Sequence, residues 1–95
     1  MAKGYIIVTE DVTDPAAFAA YAGEAAKAMR DGVTVLCFDP KPEVLEGDWH
    51  GPQTIILEFE SVDAARDWYN SELYQKAAGM RQAAADCKAV IVSGR

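Results

Sequence analysis

The sequence predicts an α+β domain whose elements follow one another in the order β-α-β-β-α-β. Short runs rich in β-branched and aromatic residues at 3–12, 53–59 and 88–93 are typical of strands. Two longer segments between them carry apolar residues at helical spacing and begin at residues that cap helices well. Strands and helices in this order are typical of an antiparallel sheet with helices on one face, the ferredoxin-like or split βαβ pattern.

The first half of the chain supplies two strands and a helix. After the strand "KGYIIVTEDV", Asp14 is a good N-cap and Pro15 suits the first helical position. The helix is expected to end at Gly32, with Arg30 in its last turn. Its apolar face is formed by Phe18, Tyr21, Ala22, Ala25 and Met29. The run "VTVLCF" (33–38) predicts the second strand.

The second half begins with the proline-rich connection "DPKPEVLEGDWHGP", in which a short strand is predicted at 43–45. The run "QTIILEF" predicts the third strand. Ser61 is expected to cap the next helix, Asn70 to end it in a left-handed conformation, and Ser71 to cap a further piece that reaches about residue 86. Leu73, Ala77, Met80 and Ala84 are expected to point inward. "KAVIVS" (88–93) predicts the last strand.

The expected strand order, 4-1-3-2, gives a sheet with two different faces. In the third strand Ile55, Leu57 and Phe59 alternate with Thr54, Ile56 and Glu58. The apolar set is expected to meet the helices. The second face, which also carries Tyr5 and Thr9, is less polar than a solvated face, so we expect a second copy of the chain to cover it. The sequence therefore predicts a homodimer formed through the sheet face.

Length, charge and cysteine content narrow the possible functions. The 95 residues predict a single domain, 1–95, and a net charge of -6 with no basic cluster disfavours nucleic-acid binding. No apolar run is long enough to cross a membrane and no signal peptide is recognised, so a cytoplasmic location is expected. Cys37 and Cys87 are expected to be free thiols. No phosphate loop, metal-ligand spacing or nucleophile motif is present, so no cofactor or metal is predicted.

Two residues are candidates for catalysis. Glu58 stands within an otherwise apolar strand, where loss of water would suit it to act as a general base. The alternative is a structural carboxylate paired with an arginine or tyrosine at the dimer interface. His50, the only histidine, is either an exposed loop residue or a proton shuttle that Asp48 orients. Its neighbour Trp49 either covers a ligand or anchors the loop to a partner subunit.

Further candidates for ligand binding surround the break in the second helical region. Tyr69 and Tyr74, with Trp68, are either core residues or bring a hydroxyl into a cleft between helices and sheet. Arg81 either binds a ligand carboxylate or pairs with Glu58 or another acid.

The chain resembles the domain-of-unknown-function family 1330, small bacterial proteins of the dimeric α/β-barrel group. The resemblance rests on "MAKGYIIVTEDVTDPAAFAAY", "EVLEGDW", "ILEFESVDAARDWYNSELYQKAAGMR" and "AVIVSG". It implies a ferredoxin-like fold and a sheet-to-sheet dimer, and it implies no particular activity. The segment "CFDPKPEVLEG" lacks the arginine and paired glycines that family members often carry after the second strand.

Relatives in the wider group include cofactor-free monooxygenases, dismutases and stress-response proteins, and fold alone does not choose among them. The sequence therefore leaves two functions open. The first is a cofactor-independent enzyme or binder that acts on a small organic molecule in a cleft between sheet and helices. The second is a non-catalytic dimeric module that binds a metabolite or a protein.

Overall fold

The fold is a single antiparallel sheet with helices on one face. A computed structural model describes residues 2–29 and 32–95. The elements in chain order are β1 (Gly4–Val12), α1 (Pro15–Ala28), β2 (Thr34–Asp39), β3 (Gln53–Phe59), α2 (Val62–Tyr69), α3 (Glu72–Ala84) and β4 (Ala85–Ser93). The strands are ordered β2-β3-β1-β4, and every neighbouring pair is antiparallel. The predicted α+β, ferredoxin-like class and the predicted strand order are confirmed.

Each helix begins at the residue that the sequence indicated. The Asp14 side chain accepts a hydrogen bond from the Ala17 amide at 3.1 Å. The Ser61 hydroxyl accepts one from the Ala64 amide at 3.0 Å, and the Ser71 hydroxyl accepts one from the Tyr74 amide at 3.3 Å. These bonds satisfy amides of the first turn that have no partner inside the helix.

Several local predictions were wrong. No strand forms at 43–45, a segment preceded by Pro40 and Pro42, which cannot donate to a sheet ladder. α1 ends at Ala28 instead of reaching Gly32, and Arg30 lies outside the described residues. Asn70 has φ -86°, outside the left-handed region, and its amide bonds back to the Arg66 carbonyl at 3.0 Å.

The inward face of α3 also differs from the prediction at one position. Leu73 is 44% exposed, whereas its neighbour Tyr74 is buried. The buried stripe of α3 runs through Tyr74, Ala77, Ala78, Arg81 and Ala84. This spacing of three and four residues is the one that a helix face requires, and it starts one residue later than the sequence suggested.

The core lies between the helices and the inner face of the sheet, which carries Ile6 and Val8 of β1 and Leu57 and Phe59 of β3. Trp68 of α2 joins the layers. Its ring centroid is 5.4 Å from that of Phe59 and 4.1 Å from that of Tyr74, and its Nε1 donates to the Ala28 carbonyl at 2.9 Å. The aromatic ring buries apolar area while its polar atom stays satisfied. Trp68 thus fixes the end of α1 against α2.

Candidate functional site

An apolar cleft opens between α1 and the inner face of the sheet. Its volume is about 300 Å³, at the lower end of the range for small-molecule sites. Small side chains on α1 leave this space open, because Ala22, Ala25 and Ala26 all face it. The remaining walls are apolar or aromatic and are formed by Val8, Phe18, Tyr21, Met29, Val35, Phe38, Ile55, Leu57, Trp68 and Tyr74.

One carboxylate lines this apolar cleft. Glu10 follows Ile6 and Val8 on the inner face of β1 and is 0% exposed. Its Oε1 accepts a hydrogen bond from Gln53 Nε2 at 2.8 Å, and its Oε2 has no partner. Burial raises the pKa of Glu10, while the hydrogen bond from Gln53 and the charge of Arg81 oppose that rise. The result is a carboxyl group beside an apolar cleft that holds its proton more tightly than usual.

Two tyrosine hydroxyls belong to the same cleft. The hydroxyl oxygens of Tyr21 on α1 and Tyr74 on α3 are 3.3 Å apart and buried. Burial is the main reason that the pKa of Tyr21 is raised, and nearby Glu10 adds to the rise. Tyr21 therefore keeps its proton at neutral pH, and both hydroxyls can donate hydrogen bonds.

Arg81 lies behind the cleft, on α3, and is 2% exposed. It lines a separate polar cavity of about 380 Å³, together with Tyr69, Gln82, Ala85, Asp86, Cys87 and Ala89. Its Nε is buried without a hydrogen-bond partner. Burial raises the pKa of the neighbouring Cys87 thiol, although the positive charge of Arg81 opposes this. Arg81 thus faces away from the apolar cleft while its charge still acts on Glu10.

The loop before β3 folds onto the opposite side of the sheet, which we call the open face. The Thr9 hydroxyl and His50 Nδ1 are 2.6 Å apart, and His50 Nε2 lies 3.4 Å from Asp86 Oδ2. Trp49 Nε1 donates to the Thr54 hydroxyl at 3.0 Å. These contacts surround a mostly apolar hollow of about 230 Å³.

Glu58 also lies on the open face, where it is opposite Tyr5 in the sheet. The Lys3 ammonium is 3.8 Å from its carboxylate. The pKa of Tyr5 is raised by burial and by the negative charge of Glu58. Glu58 therefore sits among polar neighbours at one end of the sheet, on the side that faces away from the helices.

The structure brings together only part of the predicted set. Tyr74 reaches the cleft between helices and sheet, while Tyr69 and Arg81 line the polar cavity behind it. Glu58, His50 and Trp49 lie on the open face and do not line that cleft. Glu10 and Tyr21, which also line the cleft, were not predicted from the sequence. The spacing of Glu10 from Ile6 and Val8 could have indicated that it faces the helices, because residues two apart share one face of a strand.

The described residues show few other features that bear on function. Cys37 and Cys87 are free thiols, as predicted, and lie on opposite edge strands. No cluster of three or more His, Cys, Asp or Glu side chains among residues 2–29 and 32–95 is arranged to hold a metal ion. In the same part of the chain, no helix has the length and hydrophobicity needed to cross a membrane.

Comparison with known proteins agrees with this architecture. Residues 3–95 match the family model "Domain of unknown function (DUF1330)". The chain belongs to the DUF1330 family. The resemblance noted from the sequence is thereby confirmed, and the family carries no established activity. No protein with a curated description matches the DUF1330 chain.

Solved structures share the DUF1330 fold at low sequence identity. A protein of unknown function from Rhodopseudomonas palustris is 23% identical, with a TM-score of 0.72, and the match covers 96% of this chain and 81% of that one. A dimeric ferredoxin-like protein of unknown function from Jannaschia is 16% identical, with a TM-score of 0.70 and coverages of 95% and 97%. SnoaB, a cofactor-independent oxygenase from Streptomyces nogalater, is 16% identical, with a TM-score of 0.61 and coverages of 100% and 95%. These similarities establish the fold alone.

Proposed function

We propose that this DUF1330 domain binds a small, largely apolar organic molecule in the cleft between α1 and the sheet, and that Glu10 moves a proton on it. The observation that carries the proposal is the Glu10 carboxyl group, which lines an otherwise apolar cleft and has one oxygen without a partner. Buried polar groups are nearly always hydrogen-bonded. A donor on a bound molecule would complete the hydrogen bonding of Glu10.

The surroundings of Glu10 suit proton transfer at a carbon next to a carbonyl group. The ionised carboxylate would take the proton from that carbon, and the C–H electron pair would shift to give an enolate with its charge on the carbonyl oxygen. The hydroxyls of Tyr21 and Tyr74 line the same cleft and can donate hydrogen bonds to such an oxygen. Return of the proton from Glu10 completes the cycle, so the step needs no external oxidant or cofactor.

The apolar walls restrict the class of ligand. No lysine or arginine lines the cleft among the residues described, since Arg81 faces the polar cavity. An anionic ligand would therefore meet the Glu10 carboxylate with no cation to neutralise it there. We expect neutral carbonyl compounds or phenols of bicyclic size or smaller. The similarity in fold to a cofactor-independent oxygenase is compatible with cofactor-free chemistry in such a site and goes no further.

A second candidate is binding without catalysis. Glu10 is the only acidic side chain that lines the cleft among the described residues, and the two predicted catalytic groups, Glu58 and His50, lie on the open face. A site with one carboxyl group and two tyrosines can hold a metabolite without changing it. Glu58 and His50 keep their predicted roles only if the open face forms a second site.

Homodimer formation through the open face remains part of the proposal. Val90 is 53% exposed and Val92 is 38% exposed on this face. Apolar side chains grouped on a sheet are typical of a surface that another subunit covers. The Jannaschia structure is described as a dimeric ferredoxin-like protein. In such a dimer Trp49 and His50 would approach the partner subunit.

The experiment uses 2-tetralone, a neutral bicyclic ketone with acidic C–H bonds. Binding is followed by the fluorescence of Trp68, which lines the cleft, in a Trp49→Phe background that removes the other tryptophan. Proton transfer is followed in D₂O by NMR as loss of the C–H signal. We expect Glu10→Gln to lower the exchange rate by about 100-fold or more while 2-tetralone still binds.

Glu58→Gln is the matched control, because it removes the same charge on the opposite face of the sheet. This variant should retain both binding and exchange. Binding without any protein-dependent exchange would favour the non-catalytic module. Exchange that is as fast in Glu10→Gln as in the wild type would show that Glu10 is not the base, and a Trp68 signal that 2-tetralone leaves unchanged would show that the cleft does not bind it.

A further inference from the structure

Arg81 presents a charge that the protein itself does not neutralise well. Its side chain belongs to the buried stripe of α3 and is 2% exposed, and its Nε has no hydrogen-bond partner. Among the residues described, no carboxylate oxygen lies within 4.0 Å of its guanidinium group. An unpaired buried ion is costly, and native proteins usually pair it or bind a counter-ion to it.

The groups that act electrostatically on Arg81 are poor counter-ions. Burial raises the pKa of Glu10 and the pKa of the Cys87 thiol. Cys87 is therefore a neutral thiol at neutral pH, and the carboxyl group of Glu10 gives up its proton less readily than an exposed one. Burial raises the pKa of Tyr21, so this phenol, which also acts on Arg81, carries no charge at neutral pH.

The other side of Arg81 opens onto the polar cavity between α3 and β4. This cavity has a volume of about 380 Å³ and is distinct from the apolar cleft. Asp86 also lines this cavity, and its Oδ2 lies 3.4 Å from His50 Nε2. The side chains of Tyr69 and Gln82, which line the cavity as well, carry a hydroxyl and an amide. Both side chains are hydrogen-bond donors, and both suit the oxygens of a small anion. A guanidinium group binds carboxylates and phosphates well because its N–H groups match the spacing of their oxygens.

We infer that the polar cavity is a binding site for a small oxyanion, a carboxylate or a phosphate group, with Arg81 as its anchor. The site is separate from the cleft in which Glu10 acts. It does not depend on the proposed proton transfer, since the unpaired guanidinium group and the polar lining are present whatever the cleft binds.

The first test is an NMR titration of the whole protein with inorganic sulfate at constant ionic strength. We expect saturable changes of the amide signals of Gln82, Ala85 and Cys87, which line the cavity. Parallel titrations with acetate and with inorganic phosphate distinguish a carboxylate ligand from a phosphate ligand. Signal changes that do not saturate, or that spread evenly over the surface, would overturn the inference.

Substitutions then locate the anion. Arg81→Met should abolish the saturable changes, but loss of a buried residue can also unfold the protein. Gln82 is exposed on α3 at the cavity and tolerates changes of charge without loss of the core. Gln82→Glu should weaken sulfate binding and Gln82→Lys should strengthen it, by roughly threefold in each direction.

The matched controls are Ala19→Glu and Ala19→Lys. Ala19 is exposed on α1 and is not among the residues that line the polar cavity, so these variants change the net charge by the same amounts at another place. They should leave sulfate affinity within the error of the wild-type value. Equal affinities across the three Gln82 proteins, or equal effects at Ala19 and Gln82, would show that no anion binds at Arg81.

Discussion

Gln53 and Glu10 are partners across β3 and β1, and Gln53 Nε2 donates a 2.8 Å hydrogen bond to Glu10 Oε1. The bond holds one oxygen of the carboxyl group at the inner face of the sheet, and the other oxygen is left without a partner. Gln53 thus fixes the orientation of the only acid that lines the apolar cleft in the described part of the chain.

The raised pKa of Glu10 predicts how stability varies with pH. The folded protein holds this proton more tightly than the unfolded chain, because burial disfavours the charged form. Stability is therefore lost as pH rises from the ordinary pKa of 4.5 through the higher folded value. Glu10→Gln should flatten this part of the profile, as measured by urea unfolding at a series of pH values. Asp11→Asn, a change at an exposed neighbour, should leave this loss of stability with rising pH in place. An unchanged slope in Glu10→Gln would contradict the assignment.

A single carbon atom added at Gly51 should lower the free energy of unfolding substantially. It has φ +83°, and a Cβ there would lie 2.8 Å from the Glu10 amide nitrogen. Gly47 has φ +69° with nothing within 4 Å of its Cβ position, so it shares the backbone strain without the contact. We expect Gly51→Ala to lower the free energy of unfolding by about 2 kcal/mol more than Gly47→Ala. Equal losses in chemical unfolding would show that the loop does not pack against β1.

Replacing Tyr21 and Tyr74 by phenylalanine should have non-additive effects on the free energy of unfolding. Either tyrosine-to-phenylalanine change removes the 3.3 Å hydrogen bond and leaves the other buried hydroxyl without that partner. The double variant should therefore lose about 1 kcal/mol less than the sum of the two single losses. A double-mutant cycle from thermal or urea unfolding measures this difference. Strict additivity would mean that the two hydroxyls do not interact.

One charge added on the open face should dissociate the proposed dimer. Val90→Lys places an ammonium group on the face that we propose a second subunit covers, and should shift the protein from dimer to monomer in sedimentation experiments. Leu73→Lys is the matched control, since Leu73 is similarly exposed but lies on α3. A dimer that survives Val90→Lys and dissociates with Leu73→Lys would place the interface on the helices instead.

The fold could be predicted because the local signals in the sequence agree with one another. The capping residues Asp14, Ser61 and Ser71 begin the helices where the spacing of apolar residues requires. Alternation in the strands assigned Leu57 and Phe59 to the buried face. The predictions that were wrong concern Leu73, the end of α1 and the segment 43–45, where such signals are weakest.

Which polar residues meet depends on how the helices pack on the sheet. Glu10 and Tyr21 come from β1 and α1, whereas Tyr74 and Arg81 come from α3, which is distant in sequence, so no local pattern brings the two pairs together. Whether Arg81 faced a ligand or another acid depended on the position of α3 relative to the sheet. Pairing of β1 with β3 and β4 also sent Glu58 and His50 to the open face. Side-chain patterns fix the faces of single elements, but only packing fixes which faces enclose a cavity.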